Sequence, residues 1–211
     1  MLDSNPEMKG FNVTIPYKEK VMAYLTSIDE NARRIGAVNV VKVLEDGSLK
    51  GYNSDYSGFL ESLLTSKEKE VWKNNKALVF GNGGSSKAVQ AVLQDLSIGF
   101  TLVSRHPTPL ELSYQEINPG LLDTVDLLVN CTPLGMFPNI NDCLPIAYEG
   151  ISSRHWVMDL VYNPEETLFL AKAKSMGAKT MNGLPMLVRQ AEKAWEIWNS
   201  QDSGTQDSSK S

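Results

Sequence analysis

Apolar positions fall into two regimes along the chain. In the first third, Phe11, Val13 and Ile15 alternate with polar neighbours and predict a strand that stops at Pro16. Proline suits the first turn of a helix, and the pattern places that helix over Tyr17 to Leu25. "AVNVVKVL" (37 to 44) and "SLKGY" (48 to 52) flank Asp46-Gly47, two residues that tolerate positive φ, so they predict an antiparallel hairpin. "SDYSGFLESLL" (54 to 64) spaces Phe59, Leu60, Leu63 and Leu64 along one helix face, with Ser54 as N-cap. Lys67 to Lys76 is charged and reads as a linker.

From Ala77 onward the regime changes. Short apolar runs ("ALVF", "FTLVS", "TVDLLVNC", "HWVMDLVY", "AKTMN") alternate with helical stretches at 85 to 96 and 164 to 176. That alternation predicts a parallel sheet covered by helices. Asn163-Pro164-Glu165-Glu166 offers an N-cap, a first-turn proline and a reciprocal glutamate, and Gly177 closes the same helix. An amphipathic helix, Leu184 to Trp198, carries Trp195 and Trp198 as core or interface residues. It leads into "SQDSGTQDSSKS", which has nothing to bury and is expected to be disordered. There is no internal repeat.

With 211 residues, 42% of them hydrophobic and 21% charged, the chain can bury a substantial core, as one large domain or two small ones. A net charge of -5 argues against nucleic acid as a main partner but leaves room for a small anion in a locally positive pocket. Cys131 and Cys143 form no CxxC pair, no apolar run approaches the roughly 20 residues of a membrane span, and "LDSNPEMKG" after Met1 is too polar for a signal peptide. A reducing cytoplasm is the expected location.

"VFGNGGSSKAV" (79 to 89) puts Gly81, Gly83 and Gly84 between a buried strand and a helix, where glycine lets the backbone approach a pyrophosphate and the helix amides meet its charge. Ala88 keeps that helix close to the sheet. The spacing is GxGGxxxA, not GxGxxG, so a merely tight turn remains the alternative; the strand-glycine-helix-strand context favours a dinucleotide. The next strand ends in Ser104-Arg105 with no acid until Glu111, which suits the 2'-phosphate of NADP better than the ribose hydroxyls of NAD. A solvated arginine is the competing interpretation.

The first third carries polar residues in its turns: Asn12, Thr14, Lys18, Asn39, Asn53 and Asp55. An ammonium beside a carboxylate in a cleft can exchange a proton with a carbinol oxygen during hydride transfer. Spacing alone leaves open whether Lys18 and Asp55 form such a couple or are surface charges. His106 and His155 suit structural or solvent roles, no cluster has metal-ligand spacing, and "GNGGSS" is not a GxSxG elbow.

"GFNVTIPYKEK", "GAVNVV", "GYNSDYSGF", "FGNGGSSKAV", "NCTPLGM", "MDLVYNPEET" and "NGLPMLVRQAEKAWEIW" resemble, in this order, the successive signatures of the shikimate dehydrogenase family. The likeness runs from about Lys9 to Asn199. It implies an enzyme that interconverts 3-dehydroshikimate and shikimate with NADP(H), built from an incomplete N-terminal substrate-binding α/β domain and a Rossmann-like NADP-binding domain with a parallel sheet. The boundaries expected are 1 to 66, 67 to 183, a C-terminal helix at 184 to 199 that packs back on the first domain, and a tail at 200 to 211.

Under the resemblance, Lys18 is the acid/base residue and Asp55 its partner. Thr14, Asn39, Asp55, Tyr162 and Gln190 hold the substrate's hydroxyls and ring. Gly81, Asn82, Gly83, Gly84, Ser85, Ser104 and Arg105 form the cofactor loop and phosphate clamp, and Thr132, Leu160 and Gly183 line the nicotinamide pocket.

In one respect the chain departs from the family, whose members carry a strand, a serine-x-serine motif for the substrate carboxylate and a helix ahead of the segment equivalent to residue 9. Three arrangements would compensate: a partner chain completing the sheet, as in a homodimer, a rearrangement of the strands, or a longer gene product. Two other functions stay open. One is a dinucleotide-binding remnant without turnover; the other is a quinate dehydrogenase that uses NAD, against which Arg105 speaks.

Overall fold

Strand residues in the second half alternate between two buried faces, and that alternation explains the sheet. The computed structural model describes residues 5, 7 to 66 and 72 to 201. Residues 67 to 71 of the expected linker and the tail from 202 onward lie outside them. Leu78, Phe80 and Leu128 face a cluster containing Phe169 and Leu170. Ala77, Val79, Leu127 and Val129 face another containing Phe59, Leu63, Val89, Val92 and Leu93. Period-two burial on both sides makes such strands continuous apolar runs.

The first half contains β1 (Gly10–Asn12), β2 (Ser27–Ile28), α1 (Glu30–Ile35), β3 (Val40–Val43), β4 (Leu49–Tyr52) and α2 (Asp55–Ser66). The second contains β5 (Lys76–Phe80), α3 (Gly84–Asp95), β6 (Gly99–Ser104), β7 (Leu112–Ser113), α4 (Pro119–Leu122), β8 (Leu127–Asn130), β9 (Trp156–Asp159), α5 (Leu168–Ser175), β10 (Lys179–Met181) and α6 (Leu184–Asn199). The six later strands are all parallel, in the order β7-β6-β5-β8-β9-β10. The order reverses direction between β5 and β8, and ligands of such sheets bind in the crevice beyond the strand ends at that point.

The first sheet runs β1-β3-β4-β2, with β3 and β4 paired antiparallel as the hairpin pattern predicts. Only Gly47 of the turn takes positive φ (80°), while the Asp46 carboxylate accepts from the Ser48 N–H at 2.9 Å. The last helix, α6, lies on α2 and β3. Its Trp198 indole donates to the Val41 carbonyl at 3.1 Å, and Lys42 Nζ donates to the Ser200 carbonyl just past its end at 2.6 Å.

Three local expectations fail for identifiable reasons. The helix expected over Tyr17 to Leu25 shrinks to a 3-10 turn at Lys20–Tyr24, because the Lys18 carbonyl accepts from the Val38 N–H at 2.8 Å and is lost to a helical bond. The helix expected from Pro164 starts instead at Leu168, capped by Thr167. Carbonyls it would need earlier are taken, that of Asn163 by the Phe137 N–H and that of Glu165 by the Asn182 amide. At α2, Asn53 Oδ1 accepts the Tyr56 N–H at 3.1 Å, while the Ser54 hydroxyl turns away to Gln190. The apolar pattern does not show the short β2, α1, β7 and α4, although Asp29 and Asn118 are evident N-caps.

Candidate active site

Lys18 hangs from the turn after β1, and Asp55 opens α2, where the helix dipole favours a carboxylate. Their side chains meet: Lys18 Nζ donates to Asp55 Oδ2 at 2.6 Å, with side-chain exposures of 11% and 6%. The other oxygen, Oδ1, accepts from Asn39 Nδ2 at 2.9 Å. Asn39 is fixed in turn, since its Oδ1 accepts the Ser54 N–H at 2.7 Å. Gln190 of α6 joins through Ser54, whose hydroxyl donates to Oε1 at 3.3 Å. A buried ion pair adds little net stability once desolvation is counted. One placed at the wall of a cleft is better suited to chemistry than to holding the fold.

Beyond this pair the cleft has two cavities. The smaller, about 260 Å³, is bordered by Thr14, Lys18, Asn39, Asp55, Leu160, Tyr162, Gly183 and Gln190. Gly183 is required there: a Cβ would lie 2.1 Å from the Leu160 carbonyl oxygen. Its close approach brings the start of α6 against the loop after β9.

The larger cavity, about 400 Å³, opens at the reversal between β5 and β8 and is bordered by Asn82, Gly83, Gly84, Ser85, Arg105 and Thr132. Gly81, with φ at 98°, turns the chain out of β5. Gly83 precedes α3 without any side-chain cap, and an added Cβ there would meet nothing within 4 Å. The glycine turn and the first residues of a 12-residue helix thus border the cavity, where a pyrophosphate can meet helix amides. Arg105 stands at the end of β6, and among the described residues no carboxylate pairs with it. These groups fit a phosphorylated dinucleotide. Burial pushes the Cys131 thiol, on the same wall, well above its ordinary range, so it stays neutral.

Every expected site residue except Gly81 and Ser104 borders one of the two cavities. Gly81 sits behind Thr132, and Ser104 is buried with its hydroxyl donating to Glu111 Oε2 at 3.0 Å. Glu111 thus folds back to the end of β6, its carboxyl held below the usual range by the Thr108 N–H.

Sequence reasoning missed a buried set under the cleft. Asp159 accepts from Asn130 Nδ2, the Val161 N–H and the Thr167 hydroxyl. Polar residues ending two apolar strands were the available signal. His155 is buried, its Nδ1 accepting from the Ser152 N–H and its Nε2 facing the Leu122 carbonyl at 2.9 Å, a structural role. Among the described residues no helix is long and apolar enough to cross a membrane.

Comparison with known proteins identifies the family. The family model described as the shikimate dehydrogenase substrate binding domain matches residues 2–41. The chain is 40% identical over 206 residues to the shikimate dehydrogenase (NADP(+)) of Caldanaerobacter subterraneus subsp. tengcongensis, covering 90% of this chain and 72% of that enzyme. It is 43% identical over 202 residues to the enzyme of the same name from Clostridium beijerinckii, covering 91% and 72%. The crystal structure of shikimate 5-dehydrogenase from Thermus thermophilus in complex with NADP(H) and shikimate superposes with a TM-score of 0.80 at 32% identity, over 93% of this chain and 75% of that one. With curated relatives at 40% and 43% identity over nine tenths of its length, the chain belongs to the shikimate dehydrogenase family.

Proposed function

We propose that the chain is an NADP-dependent shikimate dehydrogenase, interconverting 3-dehydroshikimate and shikimate. The observation that carries this reading is the 2.6 Å contact of Lys18 with Asp55 where a polar cavity meets one bordered by the glycine turn and Arg105. NADP(H) supplies or accepts the hydride when bound. Lys18 gives a proton to the carbonyl oxygen as it becomes a carbinol, and takes that proton back in the reverse direction. Asp55 holds the ammonium in place, and Asn39 holds Asp55.

Thr14, Asn39, Tyr162 and Gln190 offer directed polar groups to the hydroxyls of a polyol acid, so a substrate lacking a hydroxyl forgoes one of these hydrogen bonds. The α3 amides and Arg105 would carry the pyrophosphate and the 2'-phosphate. Arg105 favours NADP over NAD and so disfavours a quinate dehydrogenase using NAD. The division into a substrate half and a cofactor half, with α6 serving the substrate half, follows the same logic. We place the enzyme in the cytoplasm. A second copy of the chain is a candidate partner at the edge strand β1, beside which Trp195 is 67% exposed.

The test follows NADPH formation from shikimate in the wild type and in Lys18→Ala. Loss of about 10²–10⁴-fold in turnover is expected for removal of a general acid/base. Equal rates would remove Lys18 from the mechanism. NADPH binding without detectable shikimate affinity, read by calorimetry, would instead identify a cofactor-binding protein without turnover.

A further inference from the structure

Lys18 and Ser85 each border both cavities of the cleft, and they touch. Lys18 Nζ donates to Ser85 Oγ at 3.0 Å as well as to Asp55 Oδ2 at 2.6 Å. The two acceptors come from opposite halves of the molecule: Asp55 from α2 beside the first sheet, Ser85 from the first turn of α3.

An ammonium has three N–H groups in tetrahedral array. Bonded to Asp55 alone, it can still swing about the Nζ···O axis as Cε and the end of the stem move. A second fixed acceptor stops that swing and leaves one N–H to point along a single direction. The Lys18 stem is confined as well, since a Cβ on Gly84 would meet Lys18 Cβ at 3.0 Å. Ser85 is held by helix backbone directly after the glycine turn, so it moves with the segment whose amides face the larger cavity.

We propose that Ser85 is a positioning residue for Lys18: its hydroxyl fixes the rotation of the ammonium and links the orientation of the proton donor to the glycine loop. The inference rests on the reading of Lys18 as the acid/base residue and adds a partner to it from the other half of the cleft. The same serine could serve the dinucleotide alone, and that alternative predicts a different pattern of kinetic effects.

The experiment compares wild type, Ser85→Ala, Ser85→Thr and Lys18→Ala. For Ser85→Ala the inference expects kcat to fall about fivefold to tenfold, the effect of one hydrogen bond, with the KM for shikimate unchanged within about twofold and any change in the NADPH Kd smaller than the loss in kcat. Ser85→Thr keeps the hydroxyl and should recover most of the loss. A readout independent of turnover is acetylation of Lys18 by acetic anhydride in ligand-free protein, followed by mass spectrometry. It should accelerate in Ser85→Ala, whose lysine has one acceptor fewer.

A weakened NADPH Kd with kcat intact would overturn the inference, making Ser85 a cofactor contact only. So would wild-type kcat with wild-type acetylation. If Lys18→Ala turns over like wild type, the acid/base reading itself fails; if Lys18→Ala is inactive while Ser85→Ala behaves as wild type, only the role of Ser85 fails.

Discussion

Asn130 and Asp159 are register partners at the ends of β8 and β9, and the Asn130 amide donates to Asp159 Oδ1 at 2.9 Å. Through this contact one buried carboxylate ties three segments of the cleft together. Asn130 Oδ1 accepts both the N–H and the hydroxyl of Thr132, at 2.9 and 2.7 Å. Asp159 takes the Val161 N–H beside Tyr162 at 3.0 Å and the hydroxyl of Thr167, the cap of α5, at 2.6 Å.

Burial pushes the Asp159 carboxyl up from 3.8 to about 6, despite three donors that favour its charged form. Between those two values the folded chain holds a proton that the unfolded chain has released, so stability falls as pH rises through the window. The full difference amounts to about 3 kcal/mol. Asp159→Asn keeps the shape and removes the titration. Its urea midpoint should lose this fall with pH, and parallel pH profiles for wild type and variant would contradict the assignment.

Gly183→Ala forces a methyl group toward the Leu160 carbonyl, 2.1 Å from the ideal Cβ position, so backbone must move. A loss of about 1–3 kcal/mol in stability is expected, the range for overpacking. Leu160 and Gly183 border the smaller cavity and are the expected neighbours of the nicotinamide, so the KM values for shikimate and for NADP should both rise. Thermal melts and steady-state kinetics on one preparation check both; an unchanged melting temperature would show that the approach is slack.

Arg105→Ala tests cofactor choice. A charge-assisted bond to a phosphate contributes about 1.5–3 kcal/mol, so kcat/KM with NADPH should drop about tenfold to a hundredfold. With NADH it should hardly change. Equal losses with both cofactors would mean that Arg105 supports the loop and not the 2'-phosphate.

The long apolar runs and the amphipathic α6 were legible because their burial is periodic and needs no knowledge of distant partners. The antiparallel hairpin was legible for a related reason, since its turn is local. What stayed hidden depends on contacts between residues far apart in the chain. Lys18 ends the expected helix by giving its carbonyl to Val38, and α5 begins late because Asn163 and Glu165 are occupied elsewhere. At the site, residue types suggested Lys18 and Asp55, but only the fold sets them 2.6 Å apart. The local pattern around Ser85 suggests only a cofactor loop, and no such pattern could reveal that it reaches the lysine.

Since α6 leaves the parallel sheet and returns to α2 and β3, the polypeptide passes between the halves twice. Between the two crossings α2 is held from both sides, by α6 and by the core of the parallel sheet through Phe59 and Leu63. The order of synthesis matters too: the portion made first cannot complete its packing until the last helix, 16 residues long, has left the ribosome. A frameshift near Gly183 would leave all six parallel strands in the chain yet remove Met186 from their core and Gln190 from beside Asn39 and Ser54.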